Sequence, residues 1–522
     1  MAWLTSLITT KSIEQLTQEA SSSGGHSLKR VLGPSQLVML GIGDIIGAGI
    51  FVLAGLAAAQ YGGPAIVLSF VLAAVACSFA ALCYAEFAAM LPVSGSAYTY
   101  AYATLGELAA WIIGCALTLE FTVGPSAVAV GWSGYVTSLL RDFGVTVPPA
   151  LTAPPGTVLV ETAPRHWEIL SNVADRLAAQ GIDPSTLAHE TGIFNLLAVV
   201  IVLVMAAVLV VGIKESAQVN AAIVVIKVSV IVVFIGVGFA FVRPENWTPF
   251  IPPSTGEFGH FGYSGIVRGA AVVFFAFMGF DSVTTAAQEA KDPQRDLPIG
   301  ILGSLLGCTV LYILVAIVLT GLVPYTELNV PDPIAVGVDA TGITWLSSLI
   351  KLGAICGLSS VVLVGMLAQS RIFYTMANDG LLPPWVARIH PRFRTPHITT
   401  MVTGLVMATI AGTTPIAVLG ELVSMGTLLT FVIVCAGVII LRKTQPDLAR
   451  PFRTPWSPVV PLLGMATCAY LMSGLPGDTW LRLLLWMGGG LVVYFAYSRR
   501  HSKAQHARAA STTAAPVGSP RR

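Results

Sequence analysis

Gly41-Ile-Gly-Asp-Ile-Ile-Gly-Ala-Gly-Ile-Phe51 is the stretch that decides how this chain folds. It sits inside an apolar run, residues 35–59, and a helix needs about 20 mostly apolar residues to cross the hydrocarbon core of a bilayer. Glycines and one aspartate, Asp44, therefore fall near the midplane of a membrane span. Two explanations compete: small residues four apart let helices pack closely, whereas an unwound segment frees backbone groups for a ligand. A second interruption, Phe274-Phe-Ala-Phe-Met-Gly-Phe-Asp281, lies about as far into the second half of the chain. Paired broken spans at corresponding positions point to a site between two inverted repeats, which favours the unwound reading.

Composition agrees. Of 522 residues, 55% are hydrophobic and 10% charged, with mean hydropathy +0.79, which excludes a string of soluble domains. The fold class is an all-α membrane protein of about twelve spans, at 35–59, 64–90, 107–138, 192–212, 217–242, 264–287, 297–323, 344–370, 397–413, 415–441, 457–474 and 479–498. The ninth and tenth are divided at Pro415. Residues 35–242 (spans 1–5) and 264–441 (spans 6–10) would form the two inverted five-helix repeats, with 457–498 adding spans 11 and 12. Residues 1–34 lead in, and 499–522 form a basic tail with little to bury, expected to be disordered.

Charge placement orients the chain. Lys29 and Arg30, Lys214, Lys291 and Arg295, Arg371 to Arg394, and Arg442 to Arg453 fall in one set of alternate loops, whereas 139–191 and 324–343 are poor in base. Basic residues near span ends stay on the cytoplasmic side, so both termini are expected there and the location is a cytoplasmic membrane. The net charge of +2 implies no nucleic acid partner, only the lipid bilayer. The seven cysteines all lie in apolar runs and the histidines are scattered, so no disulfide framework, metal site or cofactor is indicated. Residues 1–28 lack the apolar core and cleavage site of a signal peptide. The loop 139–191 has room for short helices and shows no chemistry.

A helix break offers two kinds of backbone group. Amides at the N-terminus of the resumed half-helix hold a carboxylate, and unwound carbonyls hold an ammonium. A zwitterionic amino acid presents both.

Four stretches resemble the cationic amino acid transporter family of the amino acid/polyamine/organocation superfamily, in its twelve-span bacterial form: Gly41 to Gly55 (GIGDIIGAGIFVLAG), Tyr84 to Leu108 (YAEFAAMLPVSGSAYTYAYATLGEL), Phe274 to Ile299 (FFAFMGFDSVTTAAQEAKDPQRDLPI) and Arg371 to Pro383 (RIFYTMANDGLLP). The similarity is spread over residues 28–442. It implies that the amides around Gly47, Ala48 and Gly49 take the substrate carboxylate, and that the carbonyls of Phe275, Ala276 and Met278 take the α-amino group. Leu358 of span 8 stands where the resemblance places the pocket floor, and its bulk would restrict long side chains.

Ionisable residues at mid-membrane are costly and thus functional candidates unless they snorkel. Lys227 is too far from either end of span 5 to snorkel, and an ammonium taken out of water is a candidate titrating group rather than a fixed charge. By resemblance it corresponds to the lysine that occupies the sodium position of sodium-coupled relatives, with Ser359 or Ser360 and carbonyls near Gly43 as neighbours. Glu120 is a mid-span acid that either faces the cavity or pairs with polar backbone near the first break. Asp44 departs from the apolar or small residue common in relatives. An ion pair between Asp44 and Lys227 would alter simple proton coupling. Glu86 belongs to a gate or loop pairing, Asp281 is placed to cap the second half of span 6, and Arg268, Lys351 and Arg482 lie where snorkelling is the default.

The expected function is a secondary permease, not an enzyme, importing L-amino acids by alternating access with the proton as coupling ion. An exchanger or a nutrient sensor on the same fold would share these features. Gly41-Ile-Gly-Asp44 also matches the G-x-G-D motif of intramembrane aspartyl proteases, with Asp281 as second acid, but the Pro149-Ala-Leu151 element falls in an exterior loop. Cationic and neutral substrates remain alternatives, with Glu120 the acid nominated for a cationic side chain.

Overall fold

Glycine and proline punctuate the apolar stretches, and the helices begin and end on them. The computed structural model describes residues 10–11, 32–91, 96–211, 217–287, 289–393 and 395–506. Lys29, Arg30, Lys214, Arg394 and the tail beyond 506 lie outside the described residues. Pro34 and Pro293 stand in the first turn of spans 1 and 7, where the missing amide costs nothing. Pro415 caps span 10, so the division of 397–441 falls where the proline places it.

Eight stretches among the described residues are long and apolar enough to cross a membrane, and Leu196–Val211, His397–Thr413 and Val459–Ser473 are shorter apolar helices at spans 4, 9 and 11. The first stretch, Gly49–Met90, turns at Gly63 (φ +55°), a conformation that favours glycine, and so comprises the second half of span 1 and all of span 2. With Pro34–Ile45 as the first half of span 1, the expected spans are all present. The long helices are Glu107–Asp142 (span 3), Ala217–Phe239 (span 5), Pro293–Leu322 (span 7), Thr344–Asn378 (span 8), Ile416–Thr444 (span 10) and Gly477–Val493 (span 12).

Packing relates the two repeats. Span 2 meets span 7, span 3 meets span 8 and span 4 meets span 9. Where span 1 packs on 7, span 6 packs on 2; where 5 packs on 8, 10 packs on 3; where 4 packs on 8, 9 packs on 3. Such exchanged pairs are what a pseudo-two-fold axis between inverted repeats produces. Span 3 is the most enclosed, with 83% of its apolar window buried against 17% for span 12, so the site belongs beside span 3 and span 12 is peripheral.

Three expectations change. The 139–191 loop forms a three-stranded antiparallel sheet, order β2-β1-β3 (β1 Val158–Ala163, β2 His166–Ile169, β3 His189–Thr191), as well as the helix Leu170–Ala179. Val160, Val173 and Leu177 give it a small core of its own. Lys351 and Arg268 do not snorkel. Lys351 is wholly buried and its Nζ reaches Asp142 (2.7 Å) and Asp339 (3.3 Å), while Arg268 donates to Glu421 (2.7 Å). Residues 499–506 are not a free tail: Gln505 Nε2 donates to Glu107 (2.7 Å), as do the hydroxyls of Tyr102 and Tyr494 (3.0 Å each) and that of Ser502. A buried carboxylate needs donors, and the chain end supplies several of them.

Glu86, in span 2, makes the loop pairing. It takes both nitrogens of the Arg442 fork (3.0 and 2.6 Å) and the Thr454 amide (2.8 Å), tying span 2 to the end of span 10. Glu86→Ala would leave a half-buried guanidinium and an amide without their acceptor. Breaking such a pair costs about 3–5 kcal/mol, so a Tm lower by several degrees is expected in a thermal-shift measurement.

Candidate functional site

The two interruptions face each other. Span 1 stops at Ile45, passes through Ile46 in extended conformation (ψ +99°), and resumes as the wide π-type turn Gly49–Leu53. The Gly47, Ala48 and Gly49 amides thus open the resumed half-helix, where no preceding turn supplies carbonyls. Span 6 runs Gly262–Val273, tightens into the 3-10 turn Phe274–Phe277, breaks at Met278 and Gly279, and continues as Phe280–Ala286. Gly279 has φ +106°, so the break itself requires glycine.

Between them lies a cavity of ≈ 50 Å³, lined by Asp44, Gly47, Ala48, Gly49, Phe275, Met278 and Gly279 from the breaks and by Glu120, Phe121, Gly124, Pro125 and Val128 from span 3. Val361 and Gly365 close it from span 8. The two breaks bring backbone groups to the lining, and Phe121, Val128, Met278 and Val361 bring apolar side chains. Asp44 and Glu120 are the only ionisable side chains in the lining among the described residues.

Most of the residues singled out in the sequence converge here. Glu120 is 2% exposed and lines the cavity, with Asp281, Asp44 and Thr427 as its polar neighbours. Asp281 is buried among them, but it does not cap Phe280–Ala286, whose N-cap is Gly279 with no side-chain hydrogen bond. Lys227 is 1% exposed, and its Nζ donates to the carbonyls of Gly43 (2.8 Å) and Ile46 (3.3 Å), at the C-terminal end of the first half of span 1. Its stem lies on Gly357, where a Cβ would stand 3.1 Å from Lys227 Cγ.

Others are placed differently. Asp44 lies in the electrostatic reach of Lys227 and beside the Ser282 hydroxyl, but no ion pair joins Asp44 to Lys227 among the described residues, because the ammonium is already turned to the carbonyls. Ser359 accepts from Trp132 Nε1 (2.8 Å), and Ser360 bonds back to the Gly357 carbonyl (3.2 Å). Leu358 is fully buried and is not part of the cavity lining; Val361 and Gly365 are. Of the three span 6 carbonyls, that of Phe275 accepts the Met278 amide (3.3 Å) and that of Ala276 lies 2.9 Å from the Tyr312 hydroxyl.

Tyr312 is the residue that sequence reasoning missed. Its hydroxyl also lies 2.8 Å from the Ile45 carbonyl, so one side chain of span 7 bridges the broken ends of spans 1 and 6. The signal was a lone tyrosine in the aliphatic run Val310-Leu-Tyr312-Ile-Leu-Val315. A buried tyrosine in such a run finds a partner for its hydroxyl.

Comparison with known proteins places this architecture. The family model described as amino acid permease matches residues 32–495. A methylthioribose transporter of Bacillus subtilis is 43% identical over 499 residues, covering 96% of this chain and 99% of that protein. A branched-chain amino acid permease of the same organism is 44% identical over 494 residues, covering 94% and 98%. A vacuolar cationic amino acid transporter of Arabidopsis thaliana is 38% identical over 444 residues, covering 85% and 68%. With two facing helix breaks inside a twelve-span bundle and this match along nearly its whole length, the chain belongs to the amino acid permease family, and it is a membrane transporter rather than an enzyme.

Proposed function

We propose that this permease imports an L-amino acid with an uncharged side chain across a cytoplasmic membrane, by alternating access and driven by protons. The observation that carries the reading is the make-up of the cavity lining. The amides of Gly47, Ala48 and Gly49 offer a carboxylate site opposite the span 6 carbonyls, while Phe121, Val128, Met278 and Val361 offer only apolar surface to the side chain. A cationic side chain directed there would be desolvated without a partner. A polyol such as a thioribose would find few side-chain partners, because among the described lining residues Asp44 and Glu120 alone carry polar side chains. The likeness to a branched-chain amino acid permease supports the same class. Basic residues clustered in the loops on the termini side support a cytoplasmic location for both ends.

Uptake of radiolabelled leucine, alanine and arginine into proteoliposomes, at two pH values and with or without sodium, tests this directly. Leucine accumulation that rises with an inward proton gradient and ignores sodium is expected. Strong arginine uptake, lost in Glu120→Gln while alanine uptake survives, would instead make Glu120 the partner of a cationic substrate.

Gly124 offers a sharper test of the side-chain end. A Cβ there would meet only Met278 Cε, at 3.7 Å, so a larger side chain enters the cavity without displacing backbone. Gly124→Val is expected to reduce leucine uptake by at least roughly 10–200-fold, since a misfit of one carbon alone is worth that much and valine adds three, and to spare alanine. Leu358→Ser, away from the cavity, should leave the ratio of the two unchanged.

A further inference from the structure

We propose that span 7 holds, at its end nearest the termini, a phospholipid whose headgroup carries a phosphate and a primary ammonium together. A groove of ≈ 680 Å³ runs between the start of span 7 and the segment joining spans 10 and 11. Asp292 and Arg295 stand at its mouth, about one helical turn apart, and both are exposed. Below them Ile299, Leu302 and Leu306 line one wall and Phe452 the other. Ile299 is 41% and Leu306 67% exposed, which in a bilayer means contact with acyl chains.

The dimensions fit one leaflet. At about 1.5 Å per residue, Arg295 to Leu306 spans roughly 16 Å, close to half of a hydrocarbon core of about 30 Å. A chain lying on this stripe would bring its headgroup to Asp292 and Arg295.

The charges at the mouth are unused by the fold. Asp292 precedes the first turn of span 7, yet its side chain makes no capping hydrogen bond; it is Asp296 that accepts from the Asp292 amide (3.2 Å). Among the described residues neither the Asp292 carboxylate nor the Arg295 guanidinium has a hydrogen-bond or ion-pair partner, and they do not pair with each other. A guanidinium takes a phosphate through its planar fork. A carboxylate one turn away takes an ammonium that still has N–H bonds to donate. Phosphoethanolamine supplies both groups at short separation. Phosphocholine has the phosphate and the charge but no N–H, and phosphoglycerol has no cation to set against Asp292.

The full-length protein, reconstituted in nanodiscs of phosphatidylcholine with equal parts of phosphatidylethanolamine and phosphatidylglycerol, then gently delipidated and weighed by native mass spectrometry, tests the assignment. Phosphatidylethanolamine should be retained about fivefold over either other lipid, the effect of one well-placed charge contact. Asp292→Asn should erase that preference while keeping some retention, Arg295→Gln should lower retention of all three lipids, and Leu302→Trp should fill the groove and lower it without touching a charge. Equal retention of the three lipids, a phosphatidylglycerol preference in the unmodified protein, or a phosphatidylethanolamine preference that survives in all three variants overturns the proposal.

Discussion

Gly49→Ala is expected to abolish uptake, while Gly47→Ala leaves transport within reach of the unmodified protein. The two glycines look equivalent in the sequence and are not. A Cβ on Gly49 would stand 2.2 Å from Ala276 Cα and 2.9 Å from the Ala276 amide nitrogen, so even one methyl group must push the span 6 break away from the span 1 break. Backbone cannot rotate aside as a side-chain tip can, and overpacking a close-fitted interior costs about 1–3 kcal/mol or more. That displacement falls on the two groups proposed to hold the substrate's carboxylate and ammonium. A shift of about 1 Å between paired binding groups is enough to lose two orders of magnitude. A Cβ on Gly47 would meet Val361 at 3.4 to 3.8 Å, which is ordinary contact. The check is leucine uptake by both variants, with size-exclusion profile and Tm as controls for insertion and folding. Wild-type kinetics in a well-folded Gly49→Ala protein would mean that the breaks have slack and that Gly49 serves packing alone.

Lys227→Met is expected to lose accumulation against a gradient, and its response to pH, while counterflow exchange of labelled for unlabelled substrate persists. The Lys227 ammonium caps the first half of span 1, donating to the Gly43 and Ile46 carbonyls (2.8 and 3.3 Å), where a positive charge complements the negative end of the helix. Methionine keeps the stem's packing on Gly357 but supplies no donor. Span 1 would then reach both facing states without a proton to bias one over the other, which removes coupling and spares exchange. Each carbonyl left without a donor costs about 1–3 kcal/mol, so Tm should fall as well. Sodium-dependent accumulation by the unmodified protein would remove the proton from the mechanism, and loss of exchange together with accumulation in Lys227→Met would make the lysine a structural cap only.

The sequence alone determined the spans, the two breaks and the buried lysine. Length and apolarity are local quantities, and so is the glycine clustering of 41–49; neither depends on which helix lies alongside. Lys227 was legible for the same reason, since a charge in the middle of an apolar run has no route to water. Tertiary structure decided what touches what. Leu358 and Val361 are three residues apart on one helix, yet only Val361 lines the cavity. Along span 8 polar and apolar residues follow no helical stripe, so no periodicity marks the face turned inward. The same holds for Tyr312, whose reach to both Ile45 and Ala276 depends on span 7 crossing the two breaks at one level. Gly49 and Gly47 part company only because Ala276 backbone stands against one and a valine side chain against the other. The docking of 499–506 onto Glu107 joins positions nearly 400 residues apart, as in the Gln505 contact at a separation of 398. Local composition reads such a polar segment as free, because the donors it supplies become necessary only when folding buries the carboxylate that needs them.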